Sequence, residues 1–281
     1  MTDHDGCLYV VATPIGNLSD FSERARTILG QVTQILAEDT RHSYRLLSHY
    51  AITTPLQSLH EHNEQQRIEQ LLARLTAGES LALISDAGTP LISDPGYRLV
   101  RAAQAAGVRV VAIPGPSALT AALSVAGQPT DRFVFEGYLP AKQAARRARL
   151  AELVAEPRTL VFYETPHRLS AMLADAVTQF GGSREATLVK ELTKQHECSI
   201  ATTLAGLQDW LAADARRGQG EFVLVVAGNP QPPAADDPRP LLRSLLAHVP
   251  VKTAAAIVAE VSAHSKNEIY KLALEMMEER S

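Results

Sequence analysis

Leu81-Ala-Leu-Ile-Ser-Asp-Ala-Gly-Thr-Pro-Leu-Ile-Ser-Asp-Pro-Gly96 decides how the chain is read. Its first four residues form a short apolar run suited to a parallel strand buried on both faces. The run stops at Ser85-Asp86, and Ala87-Gly88-Thr89-Pro90 reads as a tight turn. Gly88 tolerates φ > 0 and has no side chain to hold a ligand away. Asp94-Pro95 reads as the N-cap and first position of a helix running through Tyr97 to Ala106. A small-residue loop at the carboxyl end of a parallel strand is where open α/β sheets bind ligands. An ordinary strand-to-helix connection needs fewer turn residues than this loop holds, and the loop carries no Gly-x-Gly-x-x-Gly dinucleotide fingerprint.

Outward from this stretch, strand and helix alternate. Leu8–Ala12, Ile35–Ala37, Leu56–His60 and Val108–Ile113 read as strands, separated by helical spacing over Ser19–Val32, around Tyr44–Tyr50, and after Asn63 as a cap. The alternation argues for a mostly parallel, wound sheet. Ser117 starts a further helix, and a second alternating series begins at Arg132, with strands at Phe133–Glu136, Thr159–Tyr163, Ala186–Leu192 and Glu221–Ala227. Its helices span about 141–155, 166–180 and 204–214, the second opened by Thr165-Pro166. Five prolines between Gly228 and Pro240 mark a semi-rigid linker. Three short helical patterns follow, the last opened by a capping box at Ser265 and Glu268. The organisation expected is two α/β lobes (1–116 and 117–228), a linker (229–240) and a helical appendage (241–281).

Composition narrows the function classes. The chain has 281 residues, 46% of them hydrophobic, enough for a sizeable core. No apolar run approaches the roughly 20 residues that span a bilayer, and Met1–Gly6 has no signal-peptide pattern. Cys7 and Cys198 read as reduced thiols of a cytoplasmic protein. The net charge of −4 requires any nucleic-acid contact to come from a local patch. His60-x-His62 offers two metal ligands without a third to complete a site.

The stretch Ser85–Gly96 resembles the signature of the ribosomal RNA small subunit methyltransferase I family, within the tetrapyrrole methylase superfamily. Val10–Leu18, Ala37–Arg41, Pro114–Ala118, Phe162–Arg168 and Lys190–Lys194 also resemble that family's blocks, so the likeness covers about residues 8 to 228. It implies a two-lobed tetrapyrrole-methylase-like α/β fold that holds S-adenosylmethionine between its lobes. Carried over by position, it implies cofactor contacts from Pro14, Ala87, Gly88, Thr89, Ile92, Ser117 and Ala118, with Phe162 and Tyr163 lining the same pocket. It further implies methyl transfer to a cytidine ribose 2′-oxygen of small-subunit (16S) ribosomal RNA, free or in the assembled 30S subunit, by a homodimer.

That chemistry needs a group to take or stabilise the hydroxyl's charge. Glu38, Asp39 and Arg41 are candidates on one side, Glu164, Lys190, Glu191 and Lys194 on the other, with Lys190 and Glu164 preferred as catalytic residues. Strand alternation lets Lys190 and Glu191 share a face only if the strand has already ended. Lys142, Arg146 and Arg149, with Arg147 alongside, form a basic face suited to RNA, joined by Arg41. The C-terminal helices resemble a helix-turn-helix appendage, but their charges balance, leaving RNA reading and a structural role equally open. Two other activities fit the same residues: carbon methylation of a tetrapyrrole, and cofactor-dependent RNA binding without catalysis.

Overall fold

The computed structural model describes residues 6–229, 237–262 and 264–278. The N-terminal residues 1–5, the linker prolines Pro230, Pro232 and Pro233, and the terminal pair Glu279 and Arg280 lie outside the described residues. The chain forms two bodies, one of residues 1–152 and 158–227, the other of 153–157 and 228–281. No described helix is long and apolar enough to cross a membrane.

The larger body begins with a wholly parallel sheet of β1 (Cys7–Val11), β2 (Gln34–Ala37), β3 (Leu56–Ser58), β4 (Leu81–Ile84) and β5 (Arg109–Ile113), in the order β3-β2-β4-β1-β5. β4 is Leu-Ala-Leu-Ile, buried throughout as a strand covered on both faces must be. Helices α1 (Glu23–Gln31) and α2 (Thr40–His49) cover one face, where Ala25, Leu29 and Leu47 pack with Val11, Ile35 and Ile84. On the other, α3 (Glu61–Thr76) and α4 (Tyr97–Ala105) set Leu71, Leu75 and Leu99 against Leu8, Leu36 and Leu83. The neighbouring strands β1 and β4 therefore send their helices to opposite faces, and a crevice opens between the loops that follow them.

Two helix starts differ from the sequence reading. α3 is capped by His60, one turn earlier than expected, and Asn63 instead reaches back from the third helical position to accept the His60 N–H at 2.9 Å. α4 starts at Tyr97 with Gly96 at the cap (φ 122°), so Asp94-Pro95 belongs to the preceding loop. Gly96 has no side chain to cap with. The buried Glu64 of α3 does so from outside, its carboxylate accepting the Leu99 N–H at 3.0 Å.

The second series, after α5 (Ala118–Val125), comprises β6 (Phe133–Tyr138), α6 (Gln143–Glu152), β7 (Thr159–Glu164), α7 (Pro166–Phe180), β8 (Glu185–Lys190), β9 (Cys198–Thr203), α8 (Leu204–Ala212) and β10 (Phe222–Val226). Strand and helix still alternate, yet the sheet they build is mixed. In the order β6-β7-β10-β8-β9 only the β6–β7 pair is parallel. β9 is an edge strand the sequence reading missed, because Cys-Ser-Ile-Ala-Thr-Thr lacks the apolar run of a buried strand. α5 packs Ala122 and Leu123, with its C-cap residue Ala126, onto Val161, Val189 and Val225.

The arginines of α6 do not form the open stripe expected for RNA. Arg146 is buried, and its guanidinium meets Asp175 of α7 at 2.7 Å, while Arg147 reaches the other oxygen of that carboxylate at 2.6 Å. Arg149 forms a two-pronged pair with Glu136 at 2.8 Å and also bonds Glu152. Lys142 remains exposed. α6 is thus pinned to α7 and β6 by its own charges.

The smaller body holds α9 (Arg239–Leu246), α10 (Val251–Val261) and α11 (Lys266–Glu278), packed around Leu242, Ala254, Ala255, Val258, Ile269, Ala273 and Met276. The capping box forms as the sequence indicates: Glu268 accepts the Ser265 N–H at 2.8 Å, and its own N–H meets Ser265 Oγ at 3.4 Å.

Removing the Asp175 carboxylate strands Arg146 in the interior, so Asp175→Ala should cost roughly 3–5 kcal/mol in urea unfolding. Burial opposes ionisation of Asp175, but hydrogen bonds from Arg147 and Arg146 outweigh it and its pKa is lowered. The wild-type advantage should hold above about pH 4 and vanish as pH falls through the lowered folded value. An advantage unchanged into strong acid would contradict this pairing.

Candidate active site

Three loops at the carboxyl ends of parallel strands are laced together. Thr13, just after β1, and Gly88, after β4, exchange backbone hydrogen bonds, Thr13 N–H to Gly88 O at 2.8 Å and Gly88 N–H to Thr13 O at 3.1 Å. The Thr13 hydroxyl donates to Ser85 O, and the Ser85 hydroxyl to Gly88 O. Thr89 Oγ1 donates to Pro116 O at 3.0 Å, adding the loop after β5. Gly88 sits at φ 81°, and a β-carbon there would lie 3.2 Å from Ile15 Cγ2. Along the same loop Leu91 (φ 72°), Ser93 (φ 71°) and Gly96 also take left-handed conformations. Two non-glycine residues held there in one short loop store backbone strain, a feature that clusters at functional sites.

This loop forms one wall of a cavity of about 300 Å³, at the small end of ligand pockets. Ala87, Gly88 and Thr89, with Ser117 and Ala118, give a wall of small side chains, and the apolar Ile92 stands beside them. Tyr138, Tyr163, Val189 and Val223 face them from the second sheet, with Leu192 from the segment after β8. Tyr163 stacks edge-on with both Phe135 and Tyr138. Burial pushes the Tyr163 phenol up to about 12 and raises that of Tyr138, so both stay protonated donors at neutral pH.

The charge lining the cavity is of one sign. Glu38, Asp86, Asp94, Glu164 and Glu221 contribute carboxylates, and among the described residues no lysine, arginine or histidine lines it. Lys194 is turned onto Glu191 at 2.9 Å and Glu221 at 3.0 Å. Asp94 is pushed up to about 7, by burial first and then by Glu38 and Asp86, against a lowering hydrogen bond with Ser85. Glu164 is buried; its Oε1 accepts the Thr165 N–H at 2.8 Å and Oε2 has no partner. Burial raises its pKa despite Thr165 and Arg168.

Among the sequence candidates, Ala87, Gly88, Thr89, Ile92, Ser117, Ala118, Tyr163 and Glu164 come together here. Pro14 is buried outside the lining, where its neighbour Ile15 takes the place. Phe162 is fully buried and, by strand alternation, points away from Tyr163 into the sheet's other face. Lys190, a preferred catalytic residue, is likewise on the far side of β8 from Val189. Its ammonium donates to the carbonyls of Arg216 and Arg217 and lies over the Phe222 ring. β8 ends at Lys190, and Glu191 follows at φ 54°. Arg41 is exposed beside Asp39, away from the lining. Asp94, Asp86, Tyr138 and Glu221 escaped the sequence reading, Asp94 because Asp-Pro was assigned to a helix start.

The family described as Tetrapyrrole (Corrin/Porphyrin) Methylases matches residues 7–208, and the RsmI C-terminal HTH domain matches residues 232–277. A protein of Pseudomonas aeruginosa named ribosomal RNA small subunit methyltransferase I is 53% identical over 274 residues, covering 96% of this chain and 97% of its own. The protein of that name from Escherichia coli O157:H7 is 50% identical over 273 residues, covering 96% and 95%. Among solved structures, uroporphyrin-III C-methyltransferase from Thermus thermophilus superposes with a TM-score of 0.55 at 19% identity, over 79% of this chain and 94% of that one. Diphthine synthase gives 0.57 at 12% identity, over 79% and 90%. At such identities these two superpositions establish the shared fold.

Asp94 carries a prediction about stability. Between the ordinary carboxylate range and about 7, the folded chain holds a proton on Asp94 that the unfolded chain releases. Folding stability should therefore fall as pH rises through that window. Asp94→Asn removes the slope, so the variant should gain on the wild type between about pH 5 and about pH 8. Equal differences at both pH values in urea unfolding would place Asp94 in water.

Proposed function

This chain belongs to the ribosomal RNA small subunit methyltransferase I family, within the tetrapyrrole methylases, and from that premise we propose that it methylates a cytidine ribose 2′-oxygen of small-subunit ribosomal RNA, using S-adenosylmethionine. The observation that carries the reading is the cavity with five carboxylates, a small-residue wall and, among the described residues, no lining lysine, arginine or histidine. Such a cavity suits a ligand bearing a sulfonium and an ammonium, and disfavours one rich in phosphate. When bound, S-adenosylmethionine supplies an already activated methyl group. Ala87 and Ser117 are placed to offer backbone groups to its polar atoms, Gly88 to leave room beside them by lacking a side chain, and Ile92, Leu192 and Val223 to exclude water.

The protein's remaining task is to orient the acceptor hydroxyl and remove its proton. We assign the base role to Asp94 in place of Lys190. A carboxylate poised near 7 is a better proton acceptor than one at its ordinary value, and the strained loop fixes where it sits. Glu164, in register with Phe222 and Lys190 and so on their face of the sheet, is assigned to holding Arg168 at 3.2 Å behind the cavity wall. Residues 1–116 and 117–228 serve as the two lobes in this reading. By kinship it extends to a cytoplasmic homodimer acting on the assembled 30S subunit.

Incubation with tritiated S-adenosylmethionine and 30S subunits from cells lacking the enzyme should place label on a ribose 2′-oxygen of the small-subunit RNA. Label on a coloured tetrapyrrole, or tight cofactor binding without transfer, would overturn the assignment. In the same assay kcat/KM should rise with pH through about 7 as Asp94 loses its proton, and Asp94→Asn should lower kcat by about 10²–10⁴-fold. Gly88→Ala should lose about 1–2 kcal/mol of stability from its left-handed backbone and weaken cofactor binding about tenfold, roughly 1.4 kcal/mol. Calorimetry showing unchanged affinity would remove Gly88 from the cofactor wall.

A further inference from the structure

An anionic cavity sets a problem for an RNA substrate, since a ribose must enter while its flanking phosphates stay out. α2 begins where that problem arises. Glu38 lines the cavity, Asp39 caps α2, and the Asp39 N–H is held by Asp86 Oδ1 at 3.1 Å, so the first turn of α2 is fixed to the cofactor loop. From Thr40 to His60 the sequence holds no acidic residue, although the chain contains 31. The buried side of α2 is Ser43 and Leu47, and the outer side presents Arg41, Tyr44, Arg45, Ser48 and His49, all exposed.

These positions have the i, i+3, i+4, i+7, i+8 spacing of a single helix face. Arg41, Arg45 and His49 form its straight line, each about 6 Å further along the axis at 1.5 Å per residue. Arg41 has a side-chain exposure of 91% and shares only the exposed Asp39. Tyr44, 66% exposed, stands between the arginines with its ring open to solvent. At the far end the Arg26 guanidinium of α1 lies 5.3 Å from the Tyr50 ring, extending the cationic surface. On α6, by contrast, the arginines are spent on Asp175, Glu136 and Glu152.

We propose that the outer face of α2, from Arg41 to His49, is the track on which an unpaired RNA strand lies as its target ribose enters the cavity. Arg41 and Arg45 take successive phosphates, and Tyr44 offers a face on which a base stacks. Basic side chains that track a backbone beside an aromatic platform are the general means of holding single-stranded nucleic acid. Unpaired RNA is also the form whose bases splay outward for such stacking. The inference rests on the RNA-methylating function proposed above and adds where the strand runs.

The test uses the full-length chain, an unpaired small-subunit RNA fragment in filter binding, and 30S subunits in the methyl-transfer assay. Arg41→Glu/Arg45→Glu and, separately, Tyr44→Ala should weaken RNA binding at least tenfold, with cofactor affinity and melting temperature unchanged. The salt dependence of log Kd should lose about one unit of slope per arginine removed and keep its slope in Tyr44→Ala. Unchanged RNA affinity and slope in the arginine variant would overturn the track. So would an altered oligomeric state with RNA affinity intact, which would make the face a contact between copies. Wild-type protein that binds RNA through this face without transferring methyl would overturn the function and leave the track standing.

Discussion

Two backbone hydrogen bonds between Thr13 and Gly88 hold together what the sheet's topology pulls apart. β1 and β4 are neighbours, but their chains depart for opposite faces, and nothing in a parallel ladder joins the loops beyond it. The reciprocal bridge closes that gap, and it requires Gly88 at φ 81°, where a side chain would be strained and would crowd Ile15. With the bridge in place, the hydroxyls of Ser85 and Thr89 find carbonyl partners, and the loop runs on through Leu91 and Ser93 in left-handed conformations to Asp94. The second sheet meets this loop closely. At the β6 bulge a β-carbon on Gly137 would stand 2.9 Å from Ser93 Oγ, so a larger residue there would push on the wall that carries Asp94.

The distribution of charge follows from the same arrangement. Carboxylates gather where a cation is to be held, and desolvation among them raises Asp94 towards neutrality. Cationic side chains divide by burial. On α6, Arg146 and Arg147 match the fully buried Asp175 from both sides and Arg149 pairs with Glu136 and Glu152, whereas the arginines of α2 project into water. A net charge of −4 therefore conceals an acidic cavity beside a basic helix face.

Legibility in the sequence tracked the range of the interactions involved. The β4 strand, the Thr165-Pro166 helix start and the Ser265–Glu268 box are decided within a few residues, and each was readable at those positions. The small-residue wall at Ala87–Thr89 was readable because backbone access demands small side chains. Asp94 was not: Asp-Pro-Gly permits either a cap at Asp or a turn ending at Gly, and the choice is made by Glu64, distant in sequence, reaching the α4 amide. The face of Lys190 was illegible for a similar reason, since only the pairing of β8 with β10 shows which side of the strand meets the cavity. A basic period on α6 could not reveal that Asp175, on another helix, was waiting for it.

The position of β1 has a consequence for how the chain is made. β1 is synthesised before both of the strands that flank it, β4 and β5, and Thr13 is 72 residues from the Ser85 carbonyl it must reach. Until β4 and β5 leave the ribosome, both edges of an apolar Cys-Leu-Tyr-Val-Val segment lack their ladder partners. The three helices of the smaller body, whose contacts are local, face no such delay. Nascent chains of this protein therefore expose an unpaired β edge early and for long, the interval in which a holding chaperone serves them most.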